Sequence, residues 1–157
     1  MIQRIQTVYL LAAVMLSVVC MFLQIGEFSI DGLAVAREYN LWMMYMDNDS
    51  SHHFTFVTAP LFVILIASAA MGAYAIFAYR NRMVQARFCM FDSLLMVGWY
   101  ALYAVYSRVL GGVDGSIADF TPSFAAVLPA VALVLNLLAR RAILADERLV
   151  RAADRIR

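Results

Sequence analysis

The stretch TAPLFVILIASAAMGAYAIFAY, residues 58–79, decides the class of this chain. From Pro60 to Tyr79 it carries no charge, which satisfies the roughly 20 mainly apolar residues that cross about 30 Å of hydrocarbon as a helix. Thr58 stands as the predicted N-cap. Pro60 falls in the first turn, where its missing N–H costs nothing. Ser68-x-x-x-Gly72 and Ala69-x-x-x-Ala73 set small residues one turn apart, which predicts close approach of a second helix.

Three further stretches follow the same pattern. Residues 5–23 contain no charge, residues 88–110 contain a single acid, Asp92, and residues 122–139 are apolar after Thr121-Pro122, a second cap followed by proline. Pro129 lies mid-span on this reading, where it frees the carbonyl of Ala125 and predicts a kink. The expected fold is an all-α integral membrane protein with four transmembrane helices, one membrane domain over residues 1–157. A 24–59 outer loop and a 140–157 helical tail complete it. Composition agrees: of 157 residues 64% are hydrophobic and 15% charged, with mean hydropathy +0.78, far from the soluble average of about one half and one quarter. Disorder, a disulfide scaffold and nucleic-acid binding are excluded as classes.

Sidedness follows from the basic residues, all 12 of which are arginine. Ten lie at one end of the spans: Arg4, then Arg80, Arg82 and Arg87, then Arg140, Arg141, Arg148, Arg151, Arg155 and Arg157. The other end holds only Arg37 and Arg108 among seven acids. Arginine-rich short loops stay cytoplasmic, so both termini are expected inside and the acidic loops outside. The first span is read as an uncleaved anchor, since its apolar run exceeds the 7–15 residues of a signal-peptide core. Cys20 and Cys89 fall about 20 Å apart in depth on this layout and are expected as unpaired, packed thiols.

The outer loop mixes β-formers and aromatics in Phe28-Ser29-Ile30 and residues 33–46, with a turn at Asp47-Asn48-Asp49-Ser50. A short β-hairpin over the helix ends and an interfacial helix through Leu41–Met46 both fit this pattern. Either would set Tyr39, Trp42 and Tyr45 at headgroup level. In the tail, Ala142, Ala145, Leu149, Ala152 and Ile156 form an apolar stripe on an amphipathic continuation of span four, a candidate docking face for anionic lipid or a partner helix.

Asp92 is the one acid inside a span, and an intramembrane acid is a functional candidate by default. Counted from Arg87 it lies five residues in, roughly 7 Å, which predicts an inner-leaflet cluster with Asn136 and Gln6 and with Arg80 or Arg82 in reach. The cluster reads either as a proton or ion relay or as interhelical hydrogen bonding that sets packing. Trp99, Tyr103, Tyr106 and Leu110 form an aromatic stripe, expected as core with bonded hydroxyls. His52-His53 beside Asp47 and Asp49 is a weak metal pattern. Haem would need histidines within the spans and disulfide chemistry a C-x-x-C pair. Neither occurs, so no cofactor and no enzyme activity are expected.

Met1-Ile2-Gln3-Arg4-Ile5-Gln6, Tyr79-Arg80-Asn81-Arg82 and the closing run from Asp146 to Arg157 (DERLVRAADRIR) resemble a family of short four-helix bacterial inner-membrane proteins classed as a domain of unknown function. The resemblance implies that location and no activity. The expected role is an accessory or assembly subunit of a larger membrane complex, partnered by the bilayer and by another membrane protein or a second copy. The alternative is a small oligomeric transporter or proton relay that uses Asp92.

Overall fold

The computed structural model describes residues 3–46, 52–78, 81–110, 112–113 and 116–154. Four helices, α1 (Gln3–Phe22), α2 (Ala59–Phe77), α3 (Arg82–Val109) and α4 (Leu128–Asp154), pack as a bundle. Each is long and apolar enough to cross a membrane by length and composition. The bundle is joined to a five-stranded antiparallel sheet, so the chain is not all-α. Strands β1 (Gln24–Ile30), β2 (Leu33–Tyr39), β3 (Met43–Met46) and β4 (His52–Thr55) follow α1 as a meander. Two short strands, β5 (Gly112–Val113) and β6 (Ser116–Ile117), pair with each other after α3. Strand β7 (Asp119–Pro122) then joins the large sheet beside β1, giving the order β4-β3-β2-β1-β7.

Local chemistry explains the sheet. The β1–β2 connection is the pair Asp31-Gly32, with φ of 52° and 81°, joining Ile30 directly opposite Leu33. A two-residue Asp-Gly turn with both φ positive matches the right-handed twist of the strands it connects. The stretch 33–46 therefore extends as strand, and the interfacial helix through Leu41–Met46 does not form.

Strand β7 displaces the expected start of span four. Thr121 pairs with Glu27 and Pro122 with Gly26. Proline suits the edge of a sheet as well as the first turn of a helix, because in both places its missing N–H is not needed. A 3-10 turn over Phe124–Val127 leads into α4 at Leu128. Pro129 thus lies in the first turn of α4, not mid-helix, and no kink is required of it. The carbonyl of Ala125 is used, accepting from Leu128 N and from Cys20 Sγ at 3.5 Å. Thr58 precedes α2 as expected, but its side chain makes no capping bond; its carbonyl accepts from Leu61 N at 2.9 Å.

Two apolar layers fill the bundle. At the sheet end lie Ala13, Cys20, Leu61, Leu65, Met96, Trp99, Tyr103 and Ala132, closed over by Ile25 of β1. At the arginine end lie Leu10, Ala75, Ala86, Cys89, Ala139 and Ile143. Both cysteines are free and buried. The aromatic stripe packs inward at the sheet end: Trp99 and Tyr103 stack at 5.0 Å, and the Tyr103 hydroxyl donates to Ile25 O at 2.8 Å.

Candidate functional site

Asp92 of α3 lies between the two apolar layers, where α2 and α4 bring small or polar residues to it. It is 3% exposed. Ser68 Oγ of α2 donates to its Oδ1, and Asn136 Nδ2 of α4 donates to its Oδ2 at 2.7 Å. Gly72, one turn beyond Ser68, has no side chain where Asp92 and α1 converge. A Cβ there would lie 2.6 Å from Val14 Cγ2 and 3.6 Å from Asp92 Oδ2. The small-residue motif on α2 therefore makes room for a carboxylate and supplies its first donor.

The depth of the site differs from the sequence reading. Ser68 stands nine residues from each end of α2, or about 14 Å. Asp92 therefore lies level with the middle of α2, deeper in the bundle than its distance from Arg87 implies. Arg87 misleads as a depth marker because α3 begins at Arg82, so Arg87 is already inside the helix, on its exposed face.

The remaining members of the expected cluster are elsewhere. Gln6 is buried, but its Nε2 finds no partner. Arg82 pairs with Asp146 of α4, Nη1 to Oδ2 at 2.9 Å. Arg80 lies outside the described residues. Arg82→Ala should cost at most about 1 kcal/mol in thermal unfolding, a cost that shrinks as salt is added, because the pair is part-exposed and screened. A loss insensitive to salt would point to packing of the arginine stem instead.

The tail stripe is solvent-facing in this chain. The face of α4 that packs is Ala132, Asn136, Ala139 and Ile143, each buried. Ala145, Leu149 and Ala152 are exposed, Ala142 is half-buried, and Ile156 lies outside the described residues. A cleft of about 580 Å³ separates the Asn81–Val84 start of α3 from Glu147 and Val150 on the tail. His53 lies on β4 opposite Tyr45. Among the described residues no group of three His, Cys, Asp or Glu side chains could hold a metal ion, and Asp47 and Asp49 lie outside them.

One polar residue that the sequence reading left unremarked connects sheet to bundle. Asn40, at the end of β2, is fully buried. Its Nδ2 donates to Cys20 O at 2.7 Å, and its Oδ1 accepts from Trp99 Nε1 at 3.1 Å. A lone asparagine in a β-rich loop whose partners are 20 and 59 residues away carries no local signal.

Four membrane-length helices with a sheet built from both connections at one end define a sheet-capped four-helix architecture. The chain belongs to the family described as Domain of unknown function (DUF4293), whose model matches residues 2–156. Comparison with curated proteins returns no match.

Proposed function

We propose that this protein is a non-enzymatic accessory or assembly subunit of a larger complex in the bacterial inner membrane, with the arginine end in the cytoplasm and the sheet outside. The observation that carries the reading is the tail of α4. Beyond its last buried contact, Ile143, the helix continues to Asp154 and presents Ala145, Leu149 and Ala152 outward, Leu149 being 60% exposed. An apolar stripe on an otherwise charged, projecting helix is what a partner helix docks against. The arginine distribution supports the orientation.

The relay alternative finds less support in the geometry. Both Asp92 oxygens are occupied by protein donors, and an apolar layer lies on either side of it. The cluster suits a device that fixes helix register.

The test is mild-detergent extraction of the tagged full chain from its native membranes, followed by native electrophoresis and mass spectrometry. A stoichiometric membrane-protein partner is expected for the wild type and lost in Leu149→Glu, whose side chain touches no packed layer. A lone or self-associated wild-type species would overturn the subunit reading and favour the transporter.

A further inference from the structure

Glu38 is an acid that neither reading uses. It sits on β2 in the middle of the sheet, opposite Gly26 of β1 and Met43 of β3, with its side chain on the same face as buried Ala36. It is 0% exposed, and neither Oε1 nor Oε2 has a hydrogen-bond partner. Gly26 lets the Phe120 ring close over it: a Cβ there would collide with that ring and come within 3.2 Å of Glu38 Oε2. A buried carboxylate without donors is among the costliest groups a fold can hold, so it keeps its proton or moves to water.

We infer that Glu38 is a proton-operated latch between the sheet and the helix bundle. Protonated, it lets the sheet seat on Trp99 and Tyr103; ionised, it draws the end of β2, with Asn40, away from Cys20. Only Tyr39 separates Glu38 from Asn40, so a movement of one reaches the bonds made by the other.

The groups around Glu38 leave it as the titrating member. From α3 comes Tyr103, within electrostatic reach, and Tyr103 in turn feels Tyr100 of α3 and Cys20 of α1. None of the three loses its proton at ordinary values below pH 8. The sheet-end residues of α2, of the 3-10 turn and of α4 are Leu61, Leu65, Ala125, Ala126 and Leu128, and β1, β3 and β7 contribute Ile25, Gly26, Met43 and Phe120, none of them ionisable. Arg37 and Glu27 pair with each other at 3.5 Å, and Arg37, next in the strand, points to the opposite face. His53 is exposed on β4.

Burial alone pushes the Glu38 carboxyl up to about 7 from its ordinary 4.5. The seated state therefore holds its proton up to about pH 7, whereas an unseated glutamate releases it near 4.5. Seating is strongest below that lower value, weakens as pH rises through the window, and levels off above about 7.

The test uses the full chain in detergent with Cys89→Ser, so that Cys20, beneath Asn40, is the sole thiol. Its rate of alkylation by N-ethylmaleimide is measured from pH 5.5 to 8.5 with Glu38 intact and with Glu38→Gln. Dividing one rate by the other at each pH cancels the reactivity of the thiol and of the reagent. The ratio should rise by about thirtyfold over this range and flatten above pH 7, because local opening follows the proton linkage. Glu38→Leu, equally chargeless, serves as the reference should the glutamine variant not fold. A ratio that stays constant with pH overturns the latch.

Discussion

Asp92→Leu should destabilise the helix bundle by about 2–4 kcal/mol, whereas Asp92→Asn should stay within about 1 kcal/mol of the wild type. Leucine removes both acceptors and leaves the Ser68 hydroxyl and one Asn136 N–H without partners in a layer where all three side chains are at most 3% exposed. Each orphaned donor costs about 1–3 kcal/mol in a buried site. Interhelical bonds in membranes are worth less, about 0.6 on average, because helices separated within the bilayer also find partners, and this holds the total down. Asparagine retains one acceptor oxygen and brings an NH₂ that can reach Asn136 Oδ1, the one atom of the trio now without a partner. Unfolding in a detergent titration, followed by helical circular dichroism, separates the two variants. The same pair separates the readings of the site. A packing role predicts that Asp92→Asn keeps its native partners, while a role that needs an ionisable group predicts a folded protein with lost function.

The site also shows what the sequence could and could not disclose. Apolar runs placed all four helices because membrane crossing is a property of a local window, and α2 follows residues 58–79 almost residue for residue. The sheet depends on distance instead. Asp31-Gly32 between Ile30 and Leu33 is a local hairpin signal that was open to reading, but β7 pairs with β1 across 90 residues, and nothing in Asp119-Phe120-Thr121-Pro122 announces that partner. Thr121-Pro122 was read as a helix start because the chemistry that suits a first turn also suits an edge strand.

Asp92 and Asn136 were paired correctly from polarity in apolar runs. Ser68 was seen only as a small residue, because a serine that packs and a serine that donates are the same letter. Depth is hidden for a related reason: Arg87 looks like a boundary in the sequence, although its long side chain lets it ride on an exposed helix face. Glu38 was invisible as a buried group, since alternation along β2 assigns it to a face only once the strand's neighbours are known.

Asn40→Leu should detach the sheet from the bundle while leaving the helices intact. The substitution keeps the branched heavy-atom shape but strips the Trp99 indole N–H of its acceptor and the Cys20 carbonyl of its side-chain donor, leaving that carbonyl the Leu23 N–H at 3.3 Å. At about 1–3 kcal/mol for the orphaned indole N–H and about 0.5–1.5 for the bond lost at Cys20 O, the junction loses about 2–4 kcal/mol, a substantial share of what holds a small sheet in place. The Tyr103 bond to Ile25 O, the edge-to-face contact of Tyr103 with Phe120 and the apolar contact of Ile25 with the sheet-end layer remain. The tryptophans allow a direct reading, because the chain has only Trp42 and Trp99. In a Trp42→Phe background the emission of Trp99, 0% exposed and stacked on Tyr103, should shift to the red when Asn40 is replaced, with helical circular dichroism unchanged. Asn40→Asp should do likewise, since it keeps the acceptor for Trp99 but loses the donor to Cys20 O and adds a carboxylate two residues from Glu38. Unaltered emission and melting in both variants would show that apolar contact alone seats the sheet, and would assign Asn40 no part in holding it.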